Sequence, residues 1–322
     1  MRRATPRTYA TGRSRGPNTS TRRTARLQRR TGKRSGTAPD KGLAVFDSPG
    51  GILEASRRWR SEGRSIGLVP TMGALHAGHL SLVELARREN GVVVVSVFVN
   101  PIQFGPGEDF QRYPRDEAHD GQLLARAEVD AVYRPSTEVM YPRGATTRVH
   151  VSGVSEPLEG AARPGHFEGV ATVVTKLFAA VEPDRAYFGQ KDAQQVAVVS
   201  RLARDLDLGV DIRVAPIVRE PDGLALSSRN VYLDAAEREA ATVLSKALRE
   251  AAAAYATGDR DPDRLRVLML ARLGSEPLVE VEYAEVVDPA TFQKPGSLAV
   301  MAVRIGKTRL IDNHDLAVPF LG

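Results

Sequence analysis

The chain runs to 322 residues, 42% of them hydrophobic, enough to bury a sizeable core and to divide into two domains. It has no cysteine, which excludes disulfides, thiol catalysis and cysteine-held zinc or iron–sulfur clusters, and its longest apolar run, residues 92–99, falls far short of the roughly 20 residues of a membrane helix. The net charge of +6 belongs to one end: twelve of the 45 Lys and Arg residues lie in residues 1–39, which hold no Asp or Glu, leaving 33 basic against 39 acidic residues and a net of −6 elsewhere.

Residues 1–40 are rich in Arg, Thr, Ser and Gly and almost free of apolar side chains, so they cannot bury enough surface to fold. Counterion release would let such a tail bind nucleic acid, and its composition resembles a transit peptide, but Tyr9 is the sole aromatic available for base stacking. It is read as plain disorder, or as a segment ahead of the native start, and nucleic acid is not an expected partner. No apolar signal-peptide segment stands at the N-terminus, and the chain is read as cytoplasmic with no membrane partner.

Residues 53–59 have helical spacing, and the apolar run 66–69 reads as a buried strand. Residues 70–80 follow, Pro-Thr-Met-Gly-Ala-Leu-His-Ala-Gly-His-Leu, and Leu80, Leu82, Val83, Leu85 and Ala86 then recur at helical spacing. The stretch is a strand-to-helix turn. Gly73 and Gly78 can bring backbone close to a ligand, and His76 and His79 share one side of the helix start. Unpaired N–H groups and a positive dipole end there favour phosphate. The plain alternative has one histidine capping the helix and the other bonded in the core. Zinc is disfavoured, since no third ligand stands at a helpful spacing.

The β-branched run at 92–99, ending in Asn100-Pro101, predicts a central strand of a parallel sheet, and strand, helix, strand at this spacing is a βαβ unit. Ligands of such sheets lie beyond the carboxyl ends of the strands, which puts Asn100 and Gln103 at the same edge as His76 and His79. Further on, the pattern predicts a helix at 116–128, a short strand at 131–134, a half-exposed strand at 147–151 and a helix after Gly165-His166-Phe167. A short strand at 186–188 leads into Gly189-Gln190-Lys191-Asp192, then come a helix through Val196, Val199, Leu202 and Leu206 and a strand at 210–215. Pro216 and Pro221 flank a change of character, taken as a domain boundary between 41–217 and 218–322. Beyond it a polar turn at 224–230 precedes a long alanine-rich helix at 235–255, a helix at 262–273 and strands at 279–287, 297–305 and 308–311. The fold class is therefore α/β, a Rossmann-like parallel sheet followed by a smaller α+β domain.

Three polar clusters fall at predicted strand ends or loops: His76 with His79; Gly189-Gln190-Lys191-Asp192 with Gln194 and Gln195; and Ser227-Ser228-Arg229. Lys191 alone is an ordinary surface lysine, and Ser-Ser-Arg alone an ordinary turn. Together a point charge, a planar fork and hydroxyl donors are the parts that hold a triphosphate. Neither the P-loop nor Gly-x-Gly-x-x-Gly is present. A metal ligand is not readable: Asp109, Asp116, Glu117 and Asp120 lie after the Gln103 loop, most of them taken as helix N-terminal and surface carboxylates, and Mg²⁺ commonly relies on substrate phosphates and water.

These motifs, with Phe98-Val99-Asn100-Pro101-Ile102-Gln103-Phe104, the Arg163–Val170 stretch Arg-Pro-Gly-His-Phe-Glu-Gly-Val, and Thr308-Arg309-Leu310-Ile311-Asp312-Asn313, occur in the order seen in the pantothenate synthetase family, which the chain resembles over residues 45–319. His-x-Gly-His marks a wider nucleotidyl-transferase superfamily; the Asn-Pro-x-Gln-Phe and Arg-Pro-Gly-His-Phe stretches narrow it. The resemblance implies a homodimeric ATP- and Mg²⁺-dependent ligase that joins pantoate to β-alanine through a pantoyl adenylate, releasing pyrophosphate and AMP. It implies an ATP site lined by Met72, Gly73, Ala74, Leu75, His76, Ala77, Gly78 and His79 and by Gly189, Gln190, Lys191 and Asp192. Val218, Leu226, Ser227, Ser228 and Arg229 are implied to close over it from the second domain. Gln103 and Gln195 match the pantoate-holding residues, with Gln103 also near β-alanine and Asn100 beside it; His79 matches the proton donor, and His76, Lys191 and Arg229 complete the catalytic set. Two departures are small: Leu226 stands where methionine is usual, and Ala77 where an acidic residue is common. The alternatives are an enzyme adenylylating a phosphorylated cofactor precursor and an RNA binder acting through the basic tail.

Overall fold

The computed structural model describes residues 42–320, and the basic tail read as disorder lies outside the described residues. Among them, strand and helix alternate through β1 (Ala44–Phe46), α1 (Pro49–Ser61), β2 (Ile66–Thr71), α2 (Ala77–Glu89), β3 (Val92–Val97), α3 (Glu117–Arg126) and β4 (Ala131–Tyr133). The single-turn helices α4 (Thr137–Met140) and α5 (Glu159–Ala162) lead to α6 (His166–Val181), β5 (Arg185–Gly189), α7 (Ala193–Asp205) and β6 (Asp211–Ala215). The strands form one six-stranded parallel sheet in the order β1-β4-β3-β2-β5-β6. Its centre is β3, where Val92 and Val94 enter a core shared with α1, α6 and α7, while Val93 and Val95 enter the core under α2. A strand covered on both faces has no place for polar alternation, which is why residues 92–95 are all valine.

From β2 the chain moves to one side for β3 and β4, then returns to the other side for β5 and β6. The carboxyl ends of β2 and β5 therefore flank the topological switch point, where open α/β sheets bind ligands.

The remaining elements are α8 (Ala235–Ala241), α9 (Val243–Ala256), α10 (Pro262–Leu273), β7 (Val279–Val287), β8 (Leu298–Ile305) and β9 (Thr308–Asp315). β7, β8 and β9 form an antiparallel sheet over a core of their own with Leu244, Leu248, Leu265 and Met269. The α/β class, with a parallel Rossmann-like sheet and a smaller α+β part, is what the chain adopts.

Three local expectations are corrected and one strand is added. Residues 147–151 pair with no strand: Val149 N–H donates to Thr172 Oγ1 at 2.9 Å, so their alternation reflects packing on α6. The helix expected at 235–255 is two helices that part at Thr242, whose hydroxyl donates to the Glu239 carbonyl at 2.8 Å. β9 runs four residues past 311 because Asp312 and Asn313, polar though they are, are buried with their hydrogen bonds satisfied by Arg219 and by the Gln190 and Lys191 carbonyls. β1, only three residues long, carried no periodic signal.

Candidate active site

β2 ends where the chain must turn sharply into α2. Gly73 at φ +82° and Ala74 at φ +50° make that turn, and a Cβ on Gly73 would lie 3.0 Å from Asp120 Oδ2. Asp120, buried on α3, fixes the turn by accepting from Ala74 N–H at 2.9 Å and Leu75 N–H at 2.8 Å. It is thus an internal brace, not the surface carboxylate expected. Asp109, discussed below, is half-buried and committed to an arginine, whereas Asp116 caps α3 and Glu117 pairs with Arg134 near the surface as expected.

His76 is the N-cap of α2: its Nδ1 accepts from Gly78 N–H at 3.1 Å, and His79 Nδ1 accepts from His76 N–H at 3.4 Å. With both Nδ1 atoms acting as acceptors, each ring keeps its proton on Nε2. The rings lie 4.1 Å apart between centroids. A Cβ on Gly78 would meet the His76 ring at 2.9 Å, so the glycine is what lets the ring fold back over the helix start. Burial lowers the His76 pKa, helped by the Lys191 charge and opposed by Asp192. For His79, burial followed by the charges of His76 and Lys191 pushes the pKa down to about 3. Both imidazoles are neutral donors at neutral pH. The His76 ring that caps α2 also lines the cleft described below.

Across the cleft, Pro101–Gln103 forms a 3₁₀ turn after β3. Asn100 is fixed by three bonds: it donates to Gln103 Oε1 at 2.9 Å and to Gly169 O at 3.1 Å, and accepts from the Tyr141 hydroxyl at 2.7 Å. Gln103 donates to Met72 Sδ at 3.2 Å. The α6 backbone approaches so closely at Gly169 that a Cβ there would lie 2.6 Å from Gln103 Cα. His166 at the start of α6 accepts from Arg163 Nη1 at 3.1 Å, because arginine can only donate. Its Nδ1–H therefore donates to the Gln103 carbonyl at 2.9 Å. Burial, then the Arg163 charge, lowers the His166 pKa to about 4.

The loop after β5 is held from the other sheet. Asn313 of β9 donates to the carbonyls of Gln190 at 3.0 Å and Lys191 at 2.9 Å, and accepts from Gln190 Nε2 at 3.2 Å. Asp312 beside it is buried against Arg219, at 2.7 and 3.0 Å. The third cluster meets the first through Ser228, whose hydroxyl donates to Ala74 O at 3.1 Å. Arg229 is engaged in a two-bond pair with Asp109, at 2.8 and 2.9 Å, and lies over the Tyr113 ring. Burial pushes the Asp109 pKa up, but the bonds and charge of Arg229 outweigh it and hold the carboxyl below its usual range.

These loops enclose a cleft of about 1420 Å³, part of it open to solvent. It brings together Met72, His76, Gly78, His79, Asn100, Gln103, Gly189, Lys191, Asp192, Gln195, Val218, Leu226, Ser227, Ser228 and Arg229. Five expected lining residues are not brought in: Gly73, Ala74, Leu75, Ala77 and Gln190. Leu75 belongs to the core, Gly73 and Ala74 form the turn that Asp120 braces, Ala77 is the first residue of α2, and Gln190 turns to Asn313. Gln194 also faces away, holding the Val154 and Pro157 carbonyls at 2.9 and 2.8 Å. Sequence reasoning assigned no site role to Tyr113, Arg163 or His166, nor to the Val170, Val173, Val174 and Leu177 side of α6, all of which line the cleft. The Arg-Pro-Gly-His-Phe stretch was the available signal for Arg163 and His166.

Residues 44–315 match the family model described as pantoate-beta-alanine ligase. A pantothenate synthetase of Herpetosiphon aurantiacus is 55% identical over 267 residues, 81% of this chain and 97% of the relative. One from Rubrobacter xylanophilus is 55% identical over 285 residues, 84% of this chain and 98% of the relative. In three dimensions the chain is similar to the pantothenate synthetase of Thermus thermophilus, with TM-score 0.80, 46% identity, and 85% and 99% of the two chains covered. It is also similar to the pantoate-beta-alanine ligase of Francisella tularensis complexed with beta-gamma ATP and beta-alanine, at TM-score 0.72 and 35% identity over 86% and 99%. With a match that spans nearly all described residues, and a switch-point cleft that gathers the motif side chains, this chain belongs to the pantoate–β-alanine ligase, or pantothenate synthetase, family.

Proposed function

We propose that the cleft binds ATP and pantoate side by side, forms pantoyl adenylate with release of pyrophosphate, and passes the pantoyl group to the amine of β-alanine, releasing AMP. One observation carries the proposal: two neutral Nε2–H donors, Lys191 and Arg229 share a cleft with Gln103 and Gln195. The pantoate carboxylate is ionised at neutral pH, so attack on the α-phosphate needs no general base. What it needs is stabilisation of charge developing on the phosphorus oxygens and on pyrophosphate. His76 and His79 supply uncharged donors for that, Lys191 a point charge and Arg229 a planar fork. Gln103 and Gln195 offer a donor and an acceptor each, suited to a hydroxy acid. The donor set also fits magnesium: Asp192 is a carboxylate lining the cleft, and a Mg²⁺ held mainly by phosphates and water needs little more. When bound, the ion neutralises phosphate charge.

The family resemblance supports a cytoplasmic homodimer and a working division into 41–217 and 218–322, the second part shielding the adenylate from water. Shielding matters because a mixed anhydride hydrolyses when wet. ATP–pyrophosphate exchange tests the proposal. Exchange that requires pantoate, followed by AMP release on adding β-alanine, is the expected result. Exchange that requires a phosphorylated acceptor instead would overturn it in favour of nucleotidyl transfer.

A further inference from the structure

Two adjacent carboxylates behind the cleft each grip one arginine, and the arginines come from different segments, Arg163 from the start of the turn into α6 and Arg229 from the Ser228–Tyr232 turn. Glu108 closes on Arg163, with Nε to Oε1 at 2.9 Å and Nη2 to Oε2 at 2.6 Å. Asp109 closes on Arg229 with a matching pair of bonds at 2.8 and 2.9 Å. The arginines line the cleft and the two carboxylates do not. The 3₁₀ turn Asp109–Gln111 buries none of its residues. Its other ties are Phe110 against Phe104, with centroids 5.3 Å apart, Arg115 donating to the Phe110 carbonyl at 3.0 Å from a place over the Phe110 ring, and the Tyr232 hydroxyl on the Arg112 carbonyl at 2.9 Å. The segment is therefore a strap whose only ties to the cleft-lining arginines are two ion pairs, its remaining ties running to Phe104, Arg115 and Tyr232.

The two fastenings lead to different places. Asp109 occupies Nε and Nη2 of Arg229, so phosphate oxygens can take that edge of the fork only by displacing a carboxylate. Glu108 holds the Nε–Nη2 edge of Arg163 and leaves Nη1 on His166 Nε2, with Glu159 Oε2 3.8 Å from the same Nη1. That contact fixes the ring proton on Nδ1, where it bonds the Gln103 carbonyl.

We propose that Asp109 and Glu108 are positioning residues that serve the two substrates separately: Asp109 holds Arg229 in reserve for the triphosphate, and Glu108 holds the Arg163–His166–Gln103 chain that presents the acid-binding loop. The proposal deepens the ligase reading and rests on it. A triphosphate outcompetes one carboxylate for the fork because it carries several charges, yet it must still displace Asp109 and sit near that anion. Removing the Asp109 charge lifts both costs. Removing the Glu108 charge does nothing for the nucleotide, but it leaves Arg163 drawn only toward Glu159, so that Nη1 can turn from His166 to that carboxylate and slacken Gln103.

The test uses Asp109→Asn and Glu108→Gln in the full chain, with ATP affinity measured by calorimetry in the absence of pantoate. The KM for pantoate comes from ATP–pyrophosphate exchange at saturating ATP. Asp109→Asn is expected to bind ATP about fivefold more tightly with the pantoate KM within about twofold of the parent, as befits a partly exposed pair. Glu108→Gln is expected to raise the pantoate KM about fivefold with ATP affinity within about twofold. Asp109→Glu, which keeps the charge, is expected to return ATP affinity toward the parent value. If either amide variant melts early, Asp109→Ser and Glu108→Ala carry the same opposed expectations. Weaker ATP binding by Asp109→Asn, or both parameters moving together in either variant, would reduce the strap to a structural clamp and overturn the proposal. The parent protein is the separate control: a parent without pantoate-dependent exchange sinks the ligase reading, whereas an active parent with variants that fail to separate sinks only the strap.

Discussion

Gly169→Ala sets two known effects against each other at one position. In a helix interior alanine is favoured over glycine by about 1 kcal/mol, so α6 taken alone would gain from the change. The new Cβ, however, would lie 2.6 Å from both Gln103 Cα and the Ile102 carbonyl oxygen and 2.7 Å from Gln103 N. All three are backbone atoms, and none can rotate aside. Overpacking costs typically 1–3 kcal/mol, and contacts this short against backbone belong at the upper end, about 3 kcal/mol. The clash wins by roughly 2 kcal/mol once the helix gain of about 1 kcal/mol is subtracted. Relief comes by moving the Pro101–Gln103 turn away from α6, which strains the Asn100 bond to the Gly169 carbonyl, now 3.1 Å. The variant should show a lower urea midpoint and a raised KM for pantoate, with ATP binding by calorimetry close to the parent. A Gly169→Ala protein as stable as its parent with an unchanged pantoate KM would show that the turn yields freely and that the close approach does not set the position of Gln103.

Asp120→Asn turns one of two charge-assisted acceptors into a donor facing a buried N–H, so a stability loss of about 2–3 kcal/mol is expected in urea melts, with slower adenylate formation as the His76 turn loosens; unchanged values for both would refute the brace. His166 has a folded pKa of about 4 against an ordinary value of 6.5, so the unfolded chain takes up its proton first as pH falls. Its contribution is complete above pH 6.5 and is lost between 6.5 and about 4, with His79 adding to the loss down to about 3. Urea melts at pH 7 and 5 should differ by roughly 2 kcal/mol less in His166→Gln than in the parent, and an identical difference would mean that the ring is not held neutral. Lys191→Ala should lose roughly 2–4 kcal/mol of transition-state stabilisation with little change in stability, and parent-rate adenylate formation in single turnovers would remove Lys191 from the phosphate site.

The parts of this fold legible in the sequence are those where one short stretch carries the whole signal. The valine-rich β3, the Gly-His turn into α2 and the Pro262 helix start each announce themselves locally. β1 could not be read because three residues hold no period, and the 235–255 helix hides its break because Thr242 stays in a right-handed helical conformation. Within the site, His76, His79, Lys191 and Arg229 were found because their residue types are suggestive on loops. Asp109 and Asp120 were misjudged as surface carboxylates since their partners lie far along the chain: Arg229 is 120 residues from Asp109, and Ala74 is 46 from Asp120. No periodicity encodes a pairing of that kind. The role of Gly169 was equally invisible, because its meaning is the backbone that passes beside it.

The grip of Asn313 on the Gln190 and Lys191 carbonyls bears on how such a chain can be cut and rejoined. A chimera spliced between residues 215 and 218 would look like an exchange of whole modules, since the parallel sheet ends at Ala215. It would nonetheless carry a lysine loop from one parent and the asparagine that splints it from the other. Successful grafts should therefore be those in which residues 189–192 travel with β9, and a donor lacking an amide at position 313 should yield a folded hybrid whose lysine is poorly aimed.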